Sequence, residues 1–303
     1  MATFRAVWGL GPENVFKVLS YCENLTTLNL TFPDRGYNPP PAHEVLNLSR
    51  NLTLLFSDLK HLQHLKMQGS RYSSIFADYL IEPISHLTIL ESLELAEVSY
   101  KHDAMVDELN ICLSKMKNLK QLVLRELWTM DGSWTCTAGP PQLVDLKLIG
   151  CDHLLLFEVP HLINSWAPHL THLELRFDVN LQVLPWDDEE FDPDQCQVCL
   201  PDLTHLTIWP HCECHYFRCF AECKKLQHFT FHQSYGVDIL DQLADFSAFI
   251  TTTQFPQLKV IDIPVLQYYL PFDISVTSAL VPLQTFCNTQ GIELKVFPEG
   301  AVS

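Results

Sequence analysis

A six-residue pattern, leucine–x–x–leucine–x–leucine with other apolar residues allowed at the leucine places, recurs along this chain. It reads LTTLNL from Leu25, LQHLKM from Leu62, LESLEL from Leu90, LKQLVL from Leu119 and LVDLKL from Leu143. It continues as LTHLEL from Leu170, LTHLTI from Leu203, LQHFTF from Leu226 and LKVIDI from Leu258, and a degenerate copy, GIELKVF, lies near Ile292. The last four residues of a copy such as LTHLEL alternate polar and apolar, the period of two that predicts a strand with one buried face. Near the N-terminus TFRAVW predicts a first strand and ENVFKVLSYC the helix that returns from it, so that Leu10 to Cys22 belong to the first repeat. Helical patterns fill the intervals, as in SSIFADYLIEPISHL, DAMVDELNICLSKM and DILDQLADFSAFITTT.

Copies are spaced by 23 to 37 residues, centred near 28, inside or close to the range of leucine-rich repeats. One strand with one helix cannot bury its own apolar face, whereas stacked neighbours bury it continuously. The expected fold is therefore α/β, a leucine-rich-repeat solenoid with a curved parallel sheet on its concave face and helices on its convex face. No stretch reads as a linker, so residues 1–303 are expected to form a single irregular domain of about nine to ten repeats. The long intervals carry insertions: a proline-rich loop, PDRGYNPPPAHEV, and an acidic one, PWDDEEFDPDQ. The acidic loop lacks the glycine and the spaced carboxylates of an EF-hand and reads as a solvated excursion.

Composition narrows the function. Hydrophobic residues make up 47% and charged residues 18%, enough for a large core. Acidic residues outnumber basic ones 36 to 19, a net charge of -17, which argues against nucleic acid or an anionic membrane as partner because phosphate attraction needs clustered Lys and Arg. No run of apolar residues is long enough to span a bilayer. The opening residues show no signal-peptide pattern, and the cysteine count is odd, at 11. Reduced thiols in the cytoplasm or nucleus are expected. There is no GxSxG, no Walker-type glycine loop and no HExxH, so neither an enzyme nor a cofactor is expected.

Six of the cysteines fall between Cys196 and Cys223. A four-cysteine zinc site pairing Cys196 and Cys199 with Cys212 and Cys214 fails on geometry: a strand through LTHLTIWP at roughly 3.3 Å per residue puts the pairs on the order of 20 Å apart, and zinc needs every ligand about 2.3 Å away. Cys196 and Cys199 also precede a strand, where a thioredoxin-like pair would open a helix after one. Cys22 and Cys223 match Leu59 and Met116 in other repeats, and Cys151 sits at the turn after its strand, so these three read as small buried apolar groups. A local set, His211, Cys212, Cys214, His215 and Cys219, stays open as a metal-binding alternative. Spaced by four, His215 and Cys219 would share one face of a helix.

Strand residues that point away from the core form columns. The first contains Thr27, His64, Ser92, Gln121, Asp145, His172, His205, His228 and Val260. Three successive histidines there would sit roughly 4.8 Å apart on neighbouring strands, close enough for each protonation to oppose the next. The second contains Lys66, Glu94, Lys147, Glu174, Thr207, Thr230 and Asp262, and the third Arg125, Arg176, Trp209 and His232. Arginine and tryptophan are favoured anchors at interfaces. The candidate partner-binding residues are Arg125, His172, Glu174, Arg176, His205, Trp209, His228 and His232, and no metal ligand is assigned.

The phrases LSYCENLTTLNL, APHLTHLEL, LPDLTHLTI and FAECKKLQHFTF resemble the leucine-rich repeats of fungal F-box-like proteins, over residues 13 to 298. That resemblance implies a non-catalytic scaffold whose repeats present a substrate protein, while an F-box binds the adaptor of a cullin-based ubiquitin ligase. LGPENVFKVLSYC, with Pro12 and Glu13, echoes an F-box opening but runs directly into ENLTTLNL. The adaptor is thus an expected partner only if an F-box lies upstream.

Overall fold

A computed structural model describes residues 2–7, 12–32, 42–69, 75–99, 108–127, 130–151, 154–177, 192–209, 215–233, 239–253, 255–265 and 274–298. The proline-rich loop at 33–41, residues 103–107 in the interval between Leu90 and Leu119, and most of the acidic loop, 178–191, lie outside these. The chain divides into two compact units, Met1–Leu155 with Ser165–Ala167, and Leu156–Asn164 with Pro168–Ser303.

The first unit contains β1 (Ala2–Val7), β2 (Leu25–Thr31), β3 (His64–Gln68), β4 (Ile75–Phe76), β5 (Ser92–Ser99), β6 (Gln121–Leu127) and β7 (Asp145–Ile149). Between them run α1 (Pro12–Leu19), α2 (Ala42–Asp58), α3 (Ile81–Ser85) and α4 (Glu108–Ser114). Its strands pair in parallel in the order β1-β2-β3-β5-β6-β7, with β4 added to β5. The second unit contains β8 (His172–Arg176), β9 (His205–Trp209), β10 (His228–Phe231), β11 (Val260–Val265) and β12 (Glu293–Pro298), parallel in that order. Helices α6 (Ile239–Thr253) and α7 (Ile274–Gln290) belong to it, and α5 (Glu158–Trp166) spans the division between the units.

Every copy of the repeat becomes a strand, and the mechanism is local. The residue three before the first leucine accepts a hydrogen bond from that leucine, as in Leu25 N–H to Cys22 O (3.0 Å), Leu62 to Leu59 (3.1 Å), Leu119 to Met116 (3.2 Å) and Leu226 to Cys223 (3.1 Å). These are β-turns. In Leu143 to Pro140 and Leu203 to Leu200 the turn contains proline at its second position, Pro141 and Pro201, where the fixed φ suits it. The chain then enters its strand by bonding to the residue that precedes the previous strand: His205 N–H to Thr171 O and His228 N–H to Thr204 O, both 3.0 Å. Turn and hand-over together fix the register, and the repeat leucines fall on the buried side.

Leu90, Leu93, Leu95, Leu119, Leu122 and Leu124 are all buried in the first unit, and Leu203, Leu206, Ile208 and Leu226 in the second. At about 25 cal/mol per Å² of apolar area removed from water, each such side chain contributes about 1.5–3 kcal/mol. Strand β10 carries Phe229 and Phe231 where other repeats carry leucine, isoleucine or methionine. The extra volume is met by rings from the helical layer: Phe231 stacks on Phe246 at 4.3 Å, and Phe229 meets the same ring edge-on at 5.1 Å. Each aromatic pair adds about 0.5–1.5 kcal/mol beyond its area. In the first unit Trp134 stacks on Trp166 at 5.2 Å, and the Trp166 Nε1–H donates to Trp134 O at 3.1 Å. Gly139 makes room for this, because a Cβ there would lie 2.6 Å from Trp166 O.

Two details depart from the expected pattern. SSIFADYLIEPISHL is not one helix: it contributes β4, a 3-10 turn at Ala77–Tyr79 and the short α3. Pro83 has no N–H to give to the Tyr79 carbonyl, which disfavours one unbroken helix, and the α-helix here covers only Ile81–Ser85. Strand β5 runs on to Val98 and Ser99 and offers an edge on which Ile75 and Phe76 pair. Glu97, Glu126 and Gly150 occupy the same place in successive repeats, each with positive φ (58°, 49° and 62°). Glycine is the unstrained choice there; nothing in the structure explains glutamate at the other two.

Candidate functional site

Alternation puts three rows of side chains on the outward face of the second unit. In the first row His172, His205 and His228 are register partners across β8, β9 and β10. The His172 and His205 rings stack at 4.2 Å with 10° between their planes, and His205 and His228 are tilted at 5.6 Å. The threonine before each ring in the two LTHL copies holds it: Thr171 Oγ1 lies 2.9 Å from His172 Nδ1, and Thr204 Oγ1 lies 2.9 Å from His205 Nδ1. His228 has a glutamine before it and instead places Nε2 2.6 Å from Asp262 Oδ2 on β11. Burial lowers the pKa of His205, and the neighbouring charges of His172 and His228 lower it further.

The second row aligns Glu174 with Thr207, and Thr230 with Asp262. Glu174 is half-buried and engaged by an interaction of its own. In the third row Arg176 and Trp209 are register partners, with the Arg176 Cζ 4.2 Å above the centre of the Trp209 ring. The opposite face of Trp209 stacks on His232, immediately after β10, at 3.5 Å and 18°. The result is a three-layer stack of guanidinium, indole and imidazole. Burial, and then the Arg176 charge, drive the His232 pKa down to about 3, so the ring is neutral at ordinary pH. Its Nδ1 is buried without a hydrogen-bond partner. So are both side-chain polar atoms of the buried Gln233 that follows, and the second carboxylate oxygen of Asp262.

The outward face of the first unit is built on the same register with different chemistry. Thr27, His64, Ser92, Gln121 and Asp145 align in one row. Ser92 Oγ donates to Gln121 Oε1 and Gln121 Nε2 to Asp145 Oδ2, both at 2.9 Å. In the next row Lys66 Nζ meets Glu94 Oε1 at 2.7 Å. Arg125, the remaining anchor suggested by sequence, lies in β6 of this unit between Ala96 and Ile149, with no ring in its row. The helical side holds a groove of about 550 Å³ lined by Ile81, Ile84, Ile111, Cys112, Lys115 and Met116.

The cysteine-rich stretch is sewn into the wall of the second unit. Val198 N–H donates to Cys219 O at 2.7 Å, and the Cys223 thiol approaches Val198 O at 3.6 Å. Asn164 of α5 clamps the approach to β9, donating to Gln197 O (3.0 Å) and accepting from Cys199 N–H (2.8 Å). Burial pushes the Cys223 thiol up to about 12 and raises that of Cys196, so neither is a thiolate at neutral pH. Cys22, Cys151 and Cys223 hold the repeat positions inferred from sequence, although Cys22 is only half-buried. His211, Cys212 and Cys214 lie outside the described residues. Of the same set, Cys219 is fully buried in the 3-10 turn Tyr216–Phe220, while His215 reaches Asp245 at the surface, 3.3 Å away. Among the described residues no group of three His, Cys, Asp or Glu side chains is placed to hold a metal ion.

Sequence columns located every histidine of the row and the Arg–Trp pair, but not the His228–Asp262 bond, the placing of the His232 ring on Trp209 or the buried Gln233. The first two had a signal: Asp262 stands in the second column and His232 in the third. No model of a known protein family matches the chain, and no curated protein matches its sequence. Among the described residues no helix is long and apolar enough to cross a membrane.

Proposed function

We propose that this chain is a non-catalytic protein-interaction scaffold of leucine-rich-repeat type, acting through the outward strand face of its second unit. The observation that carries this reading is the Arg176–Trp209–His232 stack. Half-buried aromatic and arginine side chains, immobilised before any partner arrives, lose little conformational entropy on binding and dominate interface energetics. Regular parallel strands with a turn before each repeat leucine support the repeat reading. The free thiols of the nine described cysteines agree with action in the cytoplasm or nucleus. Kinship with F-box-like substrate receptors is part of the proposal, with the ubiquitin-ligase adaptor as a partner wherever an F-box precedes this region.

The test is affinity capture with the full chain, quantified against Trp209→Ala and against Arg125→Ala. A protein captured by the parent and by R125A, but lost with a folded W209A, is the expected result. Capture that is indifferent to W209A would move the binding surface elsewhere. Co-purification with the adaptor asks separately whether the chain works as a ligase receptor.

A further inference from the structure

The charges on the outward face of the second unit are largely answered. Asp262 is bonded to His228, Lys295 lies 3.4 Å from Glu293, and Glu174 has its own interaction. Arg176 differs. Its guanidinium carbon lies 4.2 Å from the centre of the Trp209 ring, and the group makes no ion pair or hydrogen bond with any described residue. A guanidinium over an indole keeps its N–H donors, which here are uncommitted among the described residues and form a fork that matches a carboxylate. Trp209 is pinned from behind by His232, so the fork is oriented before anything binds.

We infer that the Arg176–Trp209–His232 row seats an extended partner segment that gives one carboxylate to the in-plane donors of Arg176 and lays apolar groups along the edges of the two rings. The inference rests on the interaction-surface reading and adds the partner's chemistry. Charge sets the number of acidic groups. One cation unanswered among the described residues fits one anion, and a chain of net charge -17 repels a run of carboxylates at long range. It also favours carboxylate over phosphate, since phosphate sites recruit clustered arginines to balance nearly two charges. Beside the fork the row offers neutral rings: His232 is uncharged, and Trp209 presents an indole edge. A short aliphatic or aromatic side chain fits these better than a second charge does.

The probe is a displayed library of random twelve-residue peptides, panned on the full chain and followed by synthesis of the enriched sequences. The expected sequences carry a single Asp, Glu or terminal carboxylate beside an apolar residue. Changing that acid to its amide, or Arg176→Gln in the protein, should each weaken binding by about tenfold or more. The two changes together should cost little more than either alone, because they break the same bond. Additive losses, a requirement for several acids, or a preference for phosphoserine over aspartate would overturn the inference. Trp209→Ala weakening binding with no preference for an acid would overturn it too, and leave the surface reading standing. Enriched peptides indifferent to both R176Q and W209A, or no enrichment at all, would overturn both. Circular dichroism of each variant excludes unfolding as the cause.

Discussion

The two units of this chain share one repeat geometry and use its outward face in different ways. In the first unit several polar side chains bond to one another: serine to glutamine to aspartate along one row, and lysine to glutamate along the next. In the second, the first row is imidazole on imidazole and the third is guanidinium on indole on imidazole. Rings in neighbouring strands stack because the strand spacing of about 4.8 Å suits flat groups standing side by side. A ladder of hydrogen bonds closes a face against partners, since every bond must be exchanged on binding for a net gain near zero. A ladder of rings with a cation unpaired among the described residues leaves a face open. The same backbone thus carries a hydrogen-bonded surface and a ring-stacked one, and the difference lies in which residue types occupy equivalent positions.

The core underneath should be alike in both. Leu122→Ala and Leu206→Ala remove register-equivalent, fully buried side chains, and each should cost about 2–5 kcal/mol in urea unfolding. A near-zero cost for only one of them would break the equivalence of the repeats. Binding should then separate the units. Trp209→Ala is expected to weaken a partner by about 30-fold or more, as a central aromatic anchor does, whereas Gln121→Ala should change affinity less than about twofold. Isothermal titration with both variants would settle which face binds, and equal losses would sink the distinction.

Acid stability sharpens the contrast next. The unfolded chain protonates His232 near pH 6.5, and the native ring, held at about 3 by burial and by Arg176, does not. Below pH 6.5 the unfolded state therefore binds the extra proton, and native stability falls as pH falls toward 3, by up to about 1.4 kcal/mol per pH unit. Thermal melts of His232→Gln should show a shallower loss across that window. An unchanged slope would mean the ring protonates in place. The smallest stability effect belongs to the first face: Gln121→Ala breaks the serine–glutamine–aspartate chain and should cost about 0.5–1.5 kcal/mol, and Thr207→Ala, in the second unit, less. Thiol labelling gives a qualitative companion, with Cys136 and Cys199 reacting in the native state while Cys219 and Cys223 stay protected until unfolding.

Much of the strand layer was legible beforehand because its signal is local. A turn, one leucine, and an alternating tail specify both where a strand begins and which side chains face out, so the columns around His205 and Trp209 follow from counting. The helical layer was less legible. DILDQLADFSAFITTT forms α6 as its pattern suggests, while SSIFADYLIEPISHL is α-helical only over Ile81–Ser85 and gives two residues to the sheet. That outcome depends on a free length of β5 edge, a tertiary circumstance. The cysteine-rich stretch likewise needed its partners. Only the contacts to Asn164 and Cys219 show why the segment before β9 is wall.

Sequence alone determined the repeat, the parallel strand order and the identity of the outward rows, because hydrophobic spacing and turn chemistry act over a few residues and leave register little freedom. Tertiary structure decided what those rows became. Whether His228 stacks or bonds to Asp262, whether Arg176 finds a carboxylate or an indole, and whether His232 can take a proton all turn on rotamers and burial. Those are set by residues some thirty positions away in the chain and one strand away in space.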